Sequence, residues 1–382
     1  MNIGVLKDIK PDENRVALIP SQAHQLLKQN HTVYVEQDAG KKSNFSDEQY
    51  KTNGAIISHK NEILEKCELL LKIKCPLASE YDDYNKNHTL FAYLHLDENI
   101  SRKNIQTLIQ RGFMGIAYEW VEPNKGKYPL LEPMSKITGH LFYQRSIELC
   151  TRFKGLLCHH IKCIGNKGAN ILIIGIGTIG KRILKNALND KLNIFVVDKH
   201  PDTLVDKMKI DPDTIHLIPF NNENPEETKE KIKELMGHLD IIICSAVRRS
   251  DLPKTKMEYL IDRQMIKLMK PNSIVCDATA CDKDLIETCM STGYLDHFDV
   301  IDNVIHYNPD HLPSLTGQTS TEVLTKATFE YVCLMANHGV KEAIRINEGL
   351  RNGVVCYNGK ITHQYTANKK AFEFFDITKV LS

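Results

Sequence analysis

No stretch of this chain stays apolar for the roughly 20 residues that a membrane crossing takes. The opening segment, MNIGVLKDIK, meets a lysine at position 7 and has no apolar signal region, so neither a membrane span nor a secretory route is expected. An excess of charge of one sign is missing too. A formal net charge of +1 over 382 residues points to no nucleic-acid or other polyanionic partner. The 11 cysteines lack any disulfide-like framework and read as reduced thiols of a cytoplasmic protein. Structural zinc patterns repeat paired ligands at a distance, and CHHIKC, with Cys158, His159, His160 and Cys163, does not. Cys276, Cys281 and Cys289 read as core or surface thiols, and no metal is expected. Internal repeats and low-complexity linkers are also lacking.

What is present is an ordinary globular composition, 42% hydrophobic and 25% charged, in a chain long enough for two cores. From about residue 136 the pattern alternates strand and helix. ILII, NIFVVD, HLIPF, DIIICSAV and NSIVCDATA read as short buried strands, and NPEETKEKIKELMGHL reads as an amphipathic helix between two of them. Such alternation implies a parallel sheet with right-handed crossovers. The first 130 residues alternate as well. NIGVLK, TVYVEQ, ELLLKIK, LFAYLHL and FMGIAYEW read as strands; SQAHQLLKQN and SRKNIQTLIQRG read as helices, the second opened by a serine cap. A long helix, STEVLTKATFEYVCLMANHG, follows after residue 300 and stops at glycine, and the tail beyond it mixes helix and turn. The expectation is α/β: two Rossmann-like domains with parallel sheets. The nucleotide-binding domain, 136–305, is inserted into a discontinuous catalytic domain made of 1–135 and 306–382.

GIGTIG carries the G-x-G-x-x-G spacing through Gly175, Gly177 and Gly180. It follows an apolar strand and opens a helix through Thr178 and Ile179, and Asp198 ends the next strand. Gly175 permits the tight turn, Gly177 lets backbone approach a pyrophosphate, and Gly180 permits close helix packing. The helix N-terminus offers N–H groups and partial positive charge to phosphates. Asp198 suits the ribose hydroxyls of NAD, while the adjoining Lys199 and His200 leave NADP open. A structural glycine turn is the plain alternative.

Dehydrogenation also needs a cation for a carboxylate, a group that polarises a carbonyl or imine, and an acid/base. Arg15, in ENRVALIP, suits bidentate carboxylate recognition. Lys74 and His95 both fall near strand ends in apolar runs, as Arg15 does near a run of small apolar residues. In LLLKIKCP, Lys72 and Lys74 are two apart, so a regular strand points both to one face. The plain reading is a wet face with snorkelling lysine stems.

These segments, with IAYEWVEPNKGKYPLLEPMSKITG and GVLKDIKPDENRVALIP, resemble the alanine dehydrogenase and transhydrogenase alpha-subunit family from residue 1 to about 340. The resemblance implies an NAD-dependent amino-acid dehydrogenase acting on a CH–NH2 or CH–NH donor. It implies a small amino-acid or 2-oxo-acid substrate, a homo-oligomer, and a catalytic domain built from both chain ends. Carried over, Arg15 binds the substrate carboxylate, Lys74 contacts the keto group, His95 is the acid/base, Ser135 lies near the cofactor phosphates and Asp198 is the ribose acid. Lys72 also matches a family lysine, in a structural or electrostatic part.

The chain departs from the family in several places. CHHIKCIGNKG stands where the family has a glycine- and proline-rich loop, and Cys75 where it has glutamate. The family's D-x-A-x-D-Q-G-G reads CDATACDKD: Asp277 takes the first aspartate, Cys281 the place of the catalytic second, and Asp282 falls one residue late. The cofactor-contacting N-M-P region reads PDHLPSL, which includes Leu312 and resembles saccharopine dehydrogenase. Lys127 lies where that relative carries arginines for a larger dicarboxylate. L-Alanine dehydrogenation is the leading expectation, with His95 or Asp282 moving the proton. The alternatives are a saccharopine- or opine-type secondary-amine dehydrogenase and a non-catalytic nucleotide-binding homologue.

Overall fold

A computed structural model describes residues 1–248 and 252–381. Its strands, in chain order, are β1 (Asn2–Val5), β2 (Thr32–Glu36), β3 (Ile56–Ser58), β4 (Leu69–Lys74), β5 (Thr89–Tyr93) and β6 (Met114–Ala117). A small hairpin, β7 (His160–Ile161) and β8 (Asn166–Lys167), precedes β9 (Asn170–Ile174), β10 (Asn193–Asp198), β11 (Ile215–Pro219), β12 (Ile241–Cys244) and β13 (Ile274–Asp277). β14 (Asp299–Ile301), β15 (Val304–Tyr307), β16 (Val354–Tyr357) and β17 (Lys360–Ile361) complete the set. Two compact units emerge, Met1–Met134 with Pro313–Ser382, and Ser135–Leu312.

The first unit holds an eight-stranded sheet ordered β17-β16-β6-β5-β4-β1-β2-β3, and β1 to β6 run parallel. The tail contributes β16 and β17, both antiparallel, where the sequence pattern suggests only helix and turn. VVCY is a short apolar run whose pairing partner, β6, lies more than 200 residues earlier, so nothing local marks it as a strand. β3, of three residues, is likewise too short to leave a periodic signal. LFAYLHL is strand only as far as Tyr93; His95 takes φ +45°, which ends the extended run. Ser101 caps its helix through Oγ, which accepts from the Asn104 N–H at 3.1 Å. The long C-terminal helix spans Gly317–His338 and stops at Gly339.

The second unit holds a seven-stranded sheet ordered β11-β10-β9-β12-β13-β15-β14, parallel except for β14. Because β15 belongs to this sheet, the unit runs past residue 305 to Leu312. Its strands feed two cores. Ile171 and Ile173 of β9, with Ile241 and Ile243 of β12, pack on one face. Leu172 and Ile174, with Ile242 and Cys244, pack on the other. Both faces are thus covered, which is why these strands read as continuous apolar runs rather than alternating ones.

Candidate active site

In the second unit, β9 lies between β10 and β12, the point where the strand order reverses and α/β sheets bind ligands at their carboxyl ends. Gly175 takes φ +85°, and a Cβ there would come within 2.6 Å of Ala246 Cβ. A Cβ on Gly180 would collide with the Gly175 carbonyl oxygen, so the turn and the helix Thr178–Asn189 meet backbone to backbone. Gly139 makes a second such approach, toward the Ile179 carbonyl. Gly177 differs: a Cβ there would meet nothing within 4 Å. The open space sits at the N-terminus of a helix whose first N–H groups have no partner inside it.

Asp198 closes the turn from β10. Its two oxygens accept from Ile176 N at 2.7 Å and His200 N at 3.0 Å. A pocket of about 300 Å³ lies over this turn, lined by Gly175, Gly177, Asp198 and Lys199, with Phe220, Leu252, Leu260 and Leu285 among its apolar walls. An acid, an open glycine and an apolar slot fit a dinucleotide with its ribose, pyrophosphate and adenine. The apolar walls come from segments 77 or more residues apart from Gly175 at Leu252 and beyond, and no local motif signals them. Thr178 is exposed, Ile179 and Ser135 are half-buried, and Leu312 is packed into the core.

At β13 the aspartates take different places. Asp277, the last residue of the strand, is buried. Its Oδ1 accepts from Thr279 N and Oγ1 at 2.9 and 2.6 Å, while its Oδ2 has no hydrogen-bond partner among the described residues. Burial pushes its carboxyl up to about 7. Asp282 is exposed, and its Oδ1 accepts from Ser291 N and Oγ, both at 2.7 Å. The cysteines and histidines of CHHIKC separate: Cys158 is buried, Cys163 and His160 are exposed, and His159 pairs with Asp190 at 3.1 Å. Among the described residues no three His, Cys, Asp or Glu side chains gather as metal ligands would.

In the first unit the expected polar groups gather about Tyr93. The His95 ring stacks on the Tyr93 ring at 5.5 Å and 9°, and Lys74 Nζ lies 5.8 Å from the same ring's centre. Tyr93 donates its hydroxyl to Leu130 O at 2.6 Å. Arg15 acts on the Tyr93 phenol electrostatically and is itself buried. Its Nε and Nη2 bond Glu13 Oε1 and Oε2 at 2.7 and 2.6 Å, and its Nη1 lies 3.5 Å from Met134 Sδ. Burial works against the Arg15 cation, but Glu13 outweighs it and holds the pKa above the usual value. The Arg15 loop is tied down from the far end of the chain: Ser314 Oγ donates to Glu13 Oε1 at 3.1 Å, and Val16 N donates to Thr321 Oγ1 at 3.1 Å.

His95 Nδ1 pairs with Glu98 Oε1 at 3.0 Å. Glu119 Oε1 and Oε2 accept from the backbone N–H groups of His95 and Leu94 at 2.6 and 3.2 Å, fixing the left-handed turn. Burial pulls the imidazole's pKa down, but Glu98 and Glu119 outweigh it and hold it above the usual histidine value. Lys72 is fully buried, paired with Asp8 and Glu80 at 3.1 and 3.4 Å, so the face it shares is not wet. Lys127 is exposed in the turn Asn124–Lys127, its N–H bonded to Asn124 O at 2.9 Å. Asp8, Glu13, Glu98 and Glu119 are the groups that sequence reasoning passed over. Only Glu13 carries a signal there, an acid two residues before the candidate arginine.

Family models for the alanine dehydrogenase/PNT N-terminal and C-terminal domains match residues 4–138 and 146–364. Alanine dehydrogenase of Staphylococcus haemolyticus is 33% identical over 383 residues, spanning 100% of this chain and 99% of that protein. Alanine dehydrogenase 2 of Staphylococcus aureus (strain USA300) is 31% identical, with 100% of both chains covered. Among solved structures, an L-alanine dehydrogenase superposes with a TM-score of 0.82 at 27% identity over 100% of both chains. A transhydrogenase from Sinorhizobium meliloti shares the fold, with a TM-score of 0.68 at 18% identity over 95% of this chain and 99% of that one.

Proposed function

The chain belongs to the alanine dehydrogenase/PNT family, and from that premise we propose that it is an NAD-dependent L-alanine dehydrogenase. The reaction is L-alanine, NAD⁺ and water to pyruvate, ammonium, NADH and a proton, and it is reversible. NAD supplies the acceptor for the hydride that leaves the substrate α-carbon. Gly177, the helix beginning at Thr178 and Asp198 are the groups that hold it.

The observation that carries this reading is the grouping of Lys74 and His95 about Tyr93, whose phenol Arg15 also acts on electrostatically. Arg15, locked by Glu13, faces the substrate carboxylate with the side of its guanidinium that Glu13 does not take. Lys74 donates to the carbonyl oxygen that forms. His95, its Nδ1 paired to Glu98, uses Nε2 to take the proton from the water that adds to the imine. Asp282, exposed and bonded to Ser291 in the second unit, is given no part in the step as proposed. The 11 free thiols suit a reducing compartment, and we take the enzyme to be a cytoplasmic homo-oligomer. Among the described residues no helix is long and apolar enough to cross a membrane.

NADH formation from L-alanine and NAD, and NADH oxidation with pyruvate and ammonium, test the proposal. Turnover with both pairs is expected. Turnover that requires lysine or another amino acid in place of ammonium would reassign the chain to secondary-amine chemistry. NADH binding without turnover on any pair would remove the enzyme reading.

A further inference from the structure

The sheet of the first unit also has a point where its strand order reverses, between β1 and β4. β1 ends at Val5, and among the described residues the Leu6 N–H to Leu71 O bond of 2.9 Å is the last backbone link between the two segments there. Beyond it the ladder loses a strand, yet Lys74 lies three residues further along β4. On the other side the register slips: Leu71 pairs with Phe91 and Lys74 with Tyr93, so three residues of β4 advance against two of β5. A bulge of this kind re-aims a side chain and leaves local backbone groups without regular partners.

Both backbone groups of Lys74 are taken up by one buried ion pair. Asp8 Oδ2 accepts from Lys74 N at 2.8 Å, while Asp8 Oδ1 accepts from Lys72 Nζ at 3.1 Å. Lys72 Nζ in turn reaches Lys74 O at 3.4 Å and Glu80 Oε2 at 3.4 Å. Lys72 is fully buried, its ammonium enclosed by Asp8, Glu80 and the Lys74 carbonyl. A buried pair of this kind is a poor device for stability, since desolvation offsets its Coulomb attraction, but a good one for fixing a single geometry.

Resting on the reading of Lys74 as the substrate-facing lysine, we propose that Asp8 and Lys72 are positioning residues, one clamping the N–H and the other the C=O of Lys74 where the pairing of β4 with β1 has ended. The arrangement needs a carboxylate. Asp8 accepts two bonds, from Lys72 and from the Lys74 amide, on two different oxygens. An asparagine has one acceptor oxygen, and its NH2 must then face either the ammonium or the amide N–H, so one bond is lost in either orientation.

The test is Asp8→Asn in the full-length enzyme. The expected result is a fall in kcat of about 100-fold, the scale of a misplacement near 1 Å, with the Kd and KM for NADH unchanged. Asp8→Glu restores both acceptors one methylene further out and is expected to bring kcat back to within about tenfold of wild type. Wild-type kcat in Asp8→Asn overturns the proposal, and so does a loss of kcat matched by an equal loss of NADH affinity. If Asp8→Asn does not fold, Asp8→Glu decides: a several-fold lower kcat at unchanged NADH affinity supports the clamp, and an unaltered kcat overturns it. If the wild type turns over no substrate, that failure belongs to the alanine dehydrogenase reading alone. Acetylation of Lys74 by acetic anhydride, followed by peptide mass spectrometry, then judges the clamp. Asp8→Asn is expected to change the Lys74 rate several-fold and leave that of exposed Lys127 unaltered, and equal Lys74 rates in the two proteins overturn the proposal.

Discussion

The carboxyl ends of β4 and β9 each lie beside a reversal of strand order in their own sheet, and they are furnished in opposite ways. After β9 the chain offers almost nothing but backbone: three glycines, a helix start and one acid that holds the turn. After β4 and β5 it offers ionisable side chains, most of them gripped by others. Arg15 is held by Glu13, Lys72 by Asp8 and Glu80, and His95 by Glu98 and Glu119. A phosphate is recognised by N–H groups that any helix start supplies. A reaction at carbon needs particular side chains at particular points, and each then needs a counter-charge to keep it there.

Substitution at Lys74 should separate the two ends most sharply. Lys74→Ala is expected to lower turnover by about 1,000-fold or more, with NADH affinity by fluorescence titration unchanged; unimpaired turnover would remove Lys74 from the chemistry. The glycines give the converse contrast. Gly180→Ala forces a collision with the Gly175 carbonyl, so NADH binding should be lost and the melting temperature should fall with a destabilisation of about 1–3 kcal/mol. Gly177→Ala has room for its methyl, so the melting temperature should hold while NADH binds about tenfold more weakly, the scale of one lost phosphate hydrogen bond. Equal effects from the two glycines would erase the distinction between a packing glycine and a ligand-facing one.

The smallest effect is expected at Glu98. Its charge helps hold the His95 pKa above the usual value, so Glu98→Gln should lower that pKa. His95 must be neutral to accept a proton in the alanine-oxidising direction, so activity rises as pH climbs through its pKa. The acid limb of the kcat/KM profile should therefore move to lower pH in the variant. An unmoved limb would mean that another group sets it.

The dinucleotide turn was legible because its requirements are local. Gly175, Gly177, Gly180 and Asp198 act within one strand–helix–strand unit, and each glycine answers a steric demand that can be stated without the fold. Lys74 and His95 were legible as types near strand ends and Arg15 as a cation before a run of small apolar residues, all three sharpened by a family resemblance. Their partners were not. Asp8 lies 66 residues from Lys74, Glu119 lies 24 from His95, and Ser314 lies 301 from Glu13. The β4 bulge left no mark in LLLKIKCP, because it is defined only by the slip against β5.

By itself, then, the order of residues determined two α/β units, the glycine turn and the kinds of group the proposed chemistry calls on, since periodicity and turn sterics act over a few residues. Tertiary structure alone decided which lysine is sealed away and which is only half-buried. Lys72 and Lys74 are near neighbours in the same strand, yet one is sealed in a buried ion pair and the other lies over Tyr93. The physical reason is that a buried charge is tolerable only beside an opposite one. For Lys72 the opposite charges come from two places, Asp8 from the loop after β1, 64 residues earlier, and Glu80 from the turn that follows β4.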